Sequence, residues 1–168
     1  FSPDVPTLEP TKTPITEPST SPSERSSVMY NGHAYHLTKA HLTWDEHESE
    51  ANRWGGHLVS IVDQRELDFI LDNIINASDP SEWSFFVGGM RKNESEATDK
   101  TGDSWKWSDG TNWGFHNWSP GEPNNYSDYN ENRVEMNRNG EWNDISDYYQ
   151  RLGIYKKVSL ILGTNTSL

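Results

Sequence analysis

One stretch, Asn112 to Asp144, constrains this chain more than any other: N-W-G-F-H-N-W-S-P-G-E-P-N-N-Y-S-D-Y-N-E-N-R-V-E-M-N-R-N-G-E-W-N-D. It concentrates side-chain oxygens at Glu122, Asn124, Asn125, Asp128, Glu131, Asn143 and Asp144. Hard oxygen donors, carboxylates mixed with amides, suit a calcium ion, which takes roughly six to eight of them. The stretch holds no Cys, and its one His, His116, stands alone, so a softer metal such as zinc is poorly served. Trp113, Trp118 and Trp142 punctuate it, and tryptophans on both sides of a polar loop can pin it to a core without regular structure. Asn, Asp, Gly, Ser and Pro are equally the stuff of any solvated loop, so residue types alone leave both readings open.

The rest of the composition limits the partners. A chain of 168 residues has room for one ordinary domain and a tail. A formal net charge of −12 repels phosphate backbones and argues against nucleic acid. Eight Trp and seven Tyr supply packing area with a polar handle, which suits both a core and contact with sugars. No run of about twenty apolar residues predicts a membrane span. The chain begins at Phe1 without a signal-like segment and reads as a mature or excised piece.

Residues 1–27 read as a linker, with Pro3, Pro6, Pro10, Pro14, Pro18 and Pro22 recurring amid Ser, Thr and Glu. Such a segment has too little apolar surface to fold. A surface stalk and an ordinary disordered end fit it equally. The domain is expected over 28–158, followed by a tail over 159–168. Val28–Thr38 predicts a strand or hairpin turning at Tyr30-Asn31-Gly32-His33. Thr43-Trp44-Asp45-Glu46 has the form of a capping box, opening a helix that Gly55-Gly56 closes. His57–Ile61 predicts a short strand that packs His57 into the core. Asp63-Gln64-Arg65-Glu66 has the form of a second capping box. Leu67, Ile70, Leu71, Ile74 and Ile75 then repeat at helical spacing. Strands are expected at Ser84–Met90, at Trp105–Trp107, at Arg133–Met136 and Glu141–Trp142 around an Asn139-Gly140 turn, and over Arg151–Leu162.

Glu122-Pro123-Asn124, then Glu131, then Trp142-Asn143-Asp144, resembles the calcium and sugar site of C-type lectin domains. Thr43–Ile61 resembles that family's first helix and its G-G-H-L-V-S-I continuation, and Phe86-Val87-Gly88-Gly89 stands where the family has W-I-G-L. The resemblance covers roughly residues 30–157. It implies an α+β C-type lectin-like fold, in which two helices flank small antiparallel sheets, the ends of the chain meet, and a long calcium-binding loop carries a cis Glu122-Pro123 peptide. It also implies that Glu122, Asn124, Glu131, Asn143 and Asp144 hold Ca2+ and that the same five side chains bind a sugar. Two neighbouring sugar hydroxyls would complete the ion's shell, each carboxylate accepting from them and each amide NH2 donating to them. The E-P-N order goes with mannose, fucose and N-acetylglucosamine in that family, and the swapped Q-P-D with galactose. Asn125 and Asn132 stand where some members have the aspartates of a second calcium site. The acidic segment Arg91–Asp103 reads either as further ligands or as a solvated loop.

The resemblance thus implies a calcium-dependent module for mannose-type glycans, placed outside the cell and displayed in several copies or as a homo-oligomer. The alternative within the family is a protein-binding or scaffold domain that keeps a structural calcium. One departure is large, because members of this family from animals usually have two disulfides and this chain has no cysteine. The resemblance puts Ala51 and Tyr155 at one missing pair and Arg133 and Asp147 at the other. A small residue against an aromatic can replace a bridge by packing, and an arginine facing an aspartate by a charge-assisted pair. Sequons stand at Asn76, Asn93, Asn117, Asn125 and Asn165.

An enzyme is not expected. There is no Cys nucleophile and no G-x-S-x-G. His47-Glu48 lacks the second histidine of H-E-x-x-H, because position 51 is Ala. Glu122 with Glu131 or Glu135 has the carboxylates of a glycosidase, but carboxylates engaged by calcium shuttle protons poorly. His33, His36, His41 and His116 are scattered.

Overall fold

The computed structural model describes residues 27–94, 104–126 and 130–159. All of the expected linker except its last residue, the expected tail beyond Ser159, Asp128, Asn165 and most of the acidic segment lie outside these residues. The elements in chain order are β1 (Val28–Tyr30), β2 (His33–Leu37), α1 (Trp44–Trp54), β3 (His57–Leu58), α2 (Gln64–Ile70), a π-helical turn (Leu71–Ile75), β4 (Ser84–Arg91), β5 (Trp105–Trp107), β6 (Glu131–Asn137), β7 (Trp142–Ser146) and β8 (Leu152–Val158). This is the expected α+β arrangement.

β1 and β2 form the predicted hairpin. Its two turn residues, Asn31 and Gly32, take φ of 48° and 75°, the left-handed geometry of a tight two-residue turn. β2 then pairs with β8, His33 opposite Val158, so the first and last strands lie side by side. β3 adds to the other side of β8. The path across the sheet runs β1-β2-β8-β4-β6-β7, with β3 on β8 and β5 on β4. All pairings are antiparallel except β4 with β8, which is parallel and makes the sheet mixed rather than purely antiparallel.

Thr43 caps α1 in a complete capping box with Glu46, and Gly55, at φ 93°, ends it. The second box is only half made. The Asp63 side chain accepts from Glu66 N, but the Glu66 carboxylate turns away to Val62 N, the Tyr35 hydroxyl and Lys156. A half-buried lysine and a buried tyrosine outcompete the local return bond because the Glu66 carboxylate is itself buried. The apolar repeat from Leu67 to Ile75 is one continuous face, but its second half is wound as a π turn rather than an α-helix. His57 is half-exposed and paired with Glu48, not packed in the core as its strand context predicts.

Two clusters form the interior. The larger joins Ile61, Leu67, Ile70 and Ile75 to Phe85, Val87, Trp105, Trp107, Val134, Met136 and Trp142. The smaller contains Trp44, Ala51, Leu58, Phe86, Ile145 and Tyr155. Ala51 and Tyr155 therefore share one buried cluster, and His47 Nδ1 bonds the Tyr155 hydroxyl at 2.8 Å within it. Arg133 Nε lies 3.5 Å from Asp147 Oδ1. That contact is an ion pair without a hydrogen bond, because neither atom has a hydrogen-bond partner. The well-formed bonds of Arg133 run instead to Glu94 Oε1 at 2.8 Å and Asp45 Oδ1 at 3.1 Å, and its guanidinium lies over Trp44.

Candidate metal and ligand site

The site begins as a floor of tryptophan. Trp107 stacks obliquely on Trp113 with ring centres 4.5 Å apart, and Trp105 lies 5.1 Å from Trp118. Trp142 meets Trp107 and Trp118 edge-on at 5.4 and 5.9 Å. Gly89 on β4 lets this wall close. A Cβ there would stand 2.5 Å from Val134 Cγ2 and 3.3 Å from Trp113. The loop rises from the wall where Trp142 N donates to Asn117 O and Ser119 N donates to Trp142 O, at 2.8 and 2.9 Å. Trp118 and Trp142 thus stand opposite each other at its two ends, as tryptophans that pin a polar loop to a core would.

Glu122-Pro123 is a cis peptide. After it, the backbone N–H groups of Asn124 and Asn125 both donate to the Asp144 carboxylate, at 2.8 Å to Oδ1 and 2.9 Å to Oδ2. Asn125 takes φ of 47°, a left-handed turn that Asn tolerates. Its Oδ1 accepts from Glu131 N at 3.0 Å, and Tyr126 N donates to Glu131 Oε2 at 2.6 Å. The register shift between Glu131 and Arg133 on β6 lies where the loop rejoins the sheet. Asn124 Nδ2 donates to Glu122 Oε1 at 2.7 Å. Contacts therefore bring together Glu122, Asn124, Asn125, Glu131 and Asp144.

Asn143 is the exception among the five expected ligands. It faces Glu135 across the β6–β7 ladder, and its Nδ2 donates to Glu135 Oε1 at 3.2 Å, while Arg151 Nε donates to Glu135 Oε2 at 2.7 Å. Neighbouring residues of a strand point to opposite faces, so Asn143 and the buried Asp144 diverge. The two residues expected at a second ion differ in state. Asn125 is committed to Glu131 N, whereas Asn132 is 4% exposed with Oδ1 unpartnered.

The electrostatics are those of crowded acids. Burial pushes the Glu122 carboxyl up to about 7, helped by the close approach and charge repulsion of Asp144 and by repulsion from Glu131. Glu131 is also raised, by burial first and then by Asp144 and Glu135, against the Tyr126 N–H that lowers it. Two acceptor atoms at the mouth, Glu122 Oε2 and Asn124 Oδ1, are buried with no hydrogen-bond partner among the described residues. A carboxylate and an amide oxygen left unpartnered beside two more carboxylates fit a hard cation. Among the described residues no three His, Asp or Glu side chains are gathered to hold a metal by themselves. A residue the motifs do not reveal is Arg91, which is buried against Asp144 and Glu131. The sequence signal for it is a charged residue closing an otherwise apolar strand.

Three comparisons bear on this geometry. The family model described as "Lectin C-type domain" matches residues 40–154. The human "C-type mannose receptor 2" is 33% identical over 122 residues, 72% of this chain and 8% of the receptor, so the chain spans less than a tenth of that relative. By structure, the C-type lectin CEL-I from Cucumaria echinata superposes with a TM-score of 0.68 at 20% identity, over 82% of this chain and 96% of that one. A calcium-independent type II antifreeze protein superposes with a TM-score of 0.65 at 22% identity, over 80% of this chain and 92% of that one. These two structures share the fold with this chain, and the second is described as calcium-independent. With most of the domain matched by the family model, this chain belongs to the C-type lectin domain family, whose members are non-enzymatic binding proteins.

Proposed function

We propose that this domain binds mannose-type glycans through a calcium ion held at the E-P-N loop. The observation that carries the reading is the pair of unpartnered buried oxygens, Glu122 Oε2 and Asn124 Oδ1, beside Glu131 and Asp144. Glu122, Asn124 and Glu131 would hold the ion, joined by Asp144, and by Asn143 if its side chain swings from Glu135. When bound, calcium supplies open coordination positions for two vicinal hydroxyls. Glu122 then accepts from one hydroxyl, and the Asn124 NH2, released from Glu122, donates to the other. That order of acid and amide favours mannose, fucose and N-acetylglucosamine over galactose.

The family resemblance to a mannose receptor supports the sugar class, and a receptor relative supports a place outside the cell. Extracellular modules bind calcium at about 10⁻⁴–10⁻³ M, which matches a loop with few free carboxylate oxygens. One shallow sugar site binds at roughly millimolar strength, so useful avidity needs several copies, by oligomerisation or by display on a stalk. Competition tests the reading. The domain is expected to bind immobilised mannan in calcium, to be released by methyl mannoside or EDTA, and to ignore methyl galactoside. Retention on mannan in EDTA, or release by galactoside alone, would contradict it.

One observation favours a second reading, a protein-binding domain. Asp144 is fully buried and already accepts from two backbone amides and Arg91, so the loop can keep its shape while reading another ligand. Calcium-independent capture of a protein ligand, unmoved by monosaccharide, would favour it.

A further inference from the structure

Arg91 ends β4 beneath the loop and is 1% exposed. Its Nε donates to the Glu131 carbonyl at 3.0 Å, and its Nη2 donates to Asp144 Oδ2 at 3.3 Å. The guanidinium lies over the buried Trp105 ring, 4.5 Å from its centre. Arginine stays charged at any physiological pH, so a full positive charge is fixed against two residues of the site. Three carboxylates, Glu122, Glu131 and Asp144, lie near enough to feel one another's charge. Without a cation they repel one another and favour an open loop.

We propose that Arg91 is a positioning residue, a built-in cation that holds Asn124, Asn125, Glu131 and Asp144 in their ligand-ready places before calcium arrives. The inference rests on the calcium reading of the site. Asp144 Oδ2 takes both Arg91 and Asn125 N, while Oδ1 takes Asn124 N. Arg91 therefore aims the carboxylate that clamps the two amides after Pro123. Through the Glu131 carbonyl it also fixes the place where the loop rejoins the sheet. One side chain holds both limbs of the loop. Its planar fork serves two acceptors at set angles while its face stacks on Trp105, and a lysine would supply the charge without the fork.

The two ways such a charge can act differ in sign. As a nearby charge alone, Arg91 repels calcium, and its removal tightens calcium binding. As the holder of the loop, its removal leaves the competent shape a minority, and the apparent affinity falls with that fraction.

The test compares the native chain with Arg91→Met and Arg91→Lys. Chymotryptic cleavage after Tyr126, which is 67% exposed, reads loop opening by fragment mass with no ligand present. The native chain in EDTA is expected to be cut within about threefold of its calcium-loaded rate, and Arg91→Met about tenfold faster or more, with calcium restoring protection. Arg91→Lys is expected to fall between them. Calorimetry is expected to show calcium affinity weakened by about tenfold in Arg91→Met. Tighter calcium binding in Arg91→Met, or native cleavage in EDTA as fast as that of Arg91→Met, would overturn the proposal. Should Arg91→Met fail to fold by circular dichroism, Arg91→Lys and the native chain with and without calcium decide on the same readouts. Should the native chain take up no calcium, the calcium reading falls by calorimetry, and cleavage in EDTA still decides what Arg91 does.

Discussion

Trp105, Trp107, Val134, Met136 and Trp142, the floor of the site, are each 2% exposed or less and held by packing, with the indole N–H groups of Trp105, Trp107 and Trp142 left facing other rings rather than acceptors. The loop above them is built from polar contacts and contains acceptor atoms that no described residue satisfies, Glu122 Oε2 and Asn124 Oδ1. Both regions meet on β7, where Trp142 belongs to the floor and Asp144 reaches the loop. The contrast separates two jobs along the chain. The floor fixes where the loop stands, and the loop leaves unfinished what a ligand completes. Stability should therefore respond to the floor, and metal and ligand binding to the loop.

The largest expected effect comes from the floor. Trp142→Ala removes a fully buried ring from the middle of the wall and should cost about 3–5 kcal/mol in urea unfolding. A loss below about 1 kcal/mol would mean that the wall is not what carries the loop.

The next effect lies outside both regions. Arg133, with a side chain 5% exposed, binds Asp45 and Glu94 and pairs with Asp147, all three of them 40% exposed or more. Solvent around the partners screens the pairs, so Arg133→Ala should cost about 2 kcal/mol, less than an ion pair buried on both sides. Arg53, exposed and paired with Glu50 on one helix face, should lose no more than about 0.5 kcal/mol on the same change. Equal losses at the two arginines would end the idea that Arg133 stands in for a disulfide.

The smallest expected effect is a pH signature of the loop. The Glu122 carboxyl is raised in the fold to about 7 from an ordinary 4.5. A raised acid favours the fold while protonated, so its contribution is fully present below about pH 4.5 and lost as pH rises through about 7. The melting temperature in EDTA should therefore fall across that window. Calcium should flatten the fall, and Glu122→Gln should remove this group's share of it. An unchanged slope in Glu122→Gln would place the acid crowding elsewhere.

Most of the framework was legible in the sequence because short-range chemistry specifies it. Thr43 with Glu46, Gly55, and the Asn31-Gly32 turn each act within a few residues of themselves. Glu122-Pro123-Asn124 was legible through resemblance to a family rather than through any periodicity. What escaped depends on partners distant in sequence. Glu66 abandons its local cap for Tyr35 and Lys156. Asn143 turns to Glu135 across the ladder, where a strand's alternation sends it away from Asp144. Arg91 is an unremarkable strand end until Glu131 and Asp144 close over it. Arg133 was expected opposite Asp147, and the fold adds Asp45 and Glu94 as its stronger bonds.

In the proposed function, calcium completes the unfinished oxygens of the loop. Calorimetric titration of calcium into the metal-free domain, beside Glu122→Gln, tests it most directly. Saturable binding near the extracellular range, about 10⁻⁴–10⁻³ M, is expected in the native chain, and at least tenfold weaker binding in Glu122→Gln. Absence of calcium binding in the native chain, or equal binding in both, would contradict it.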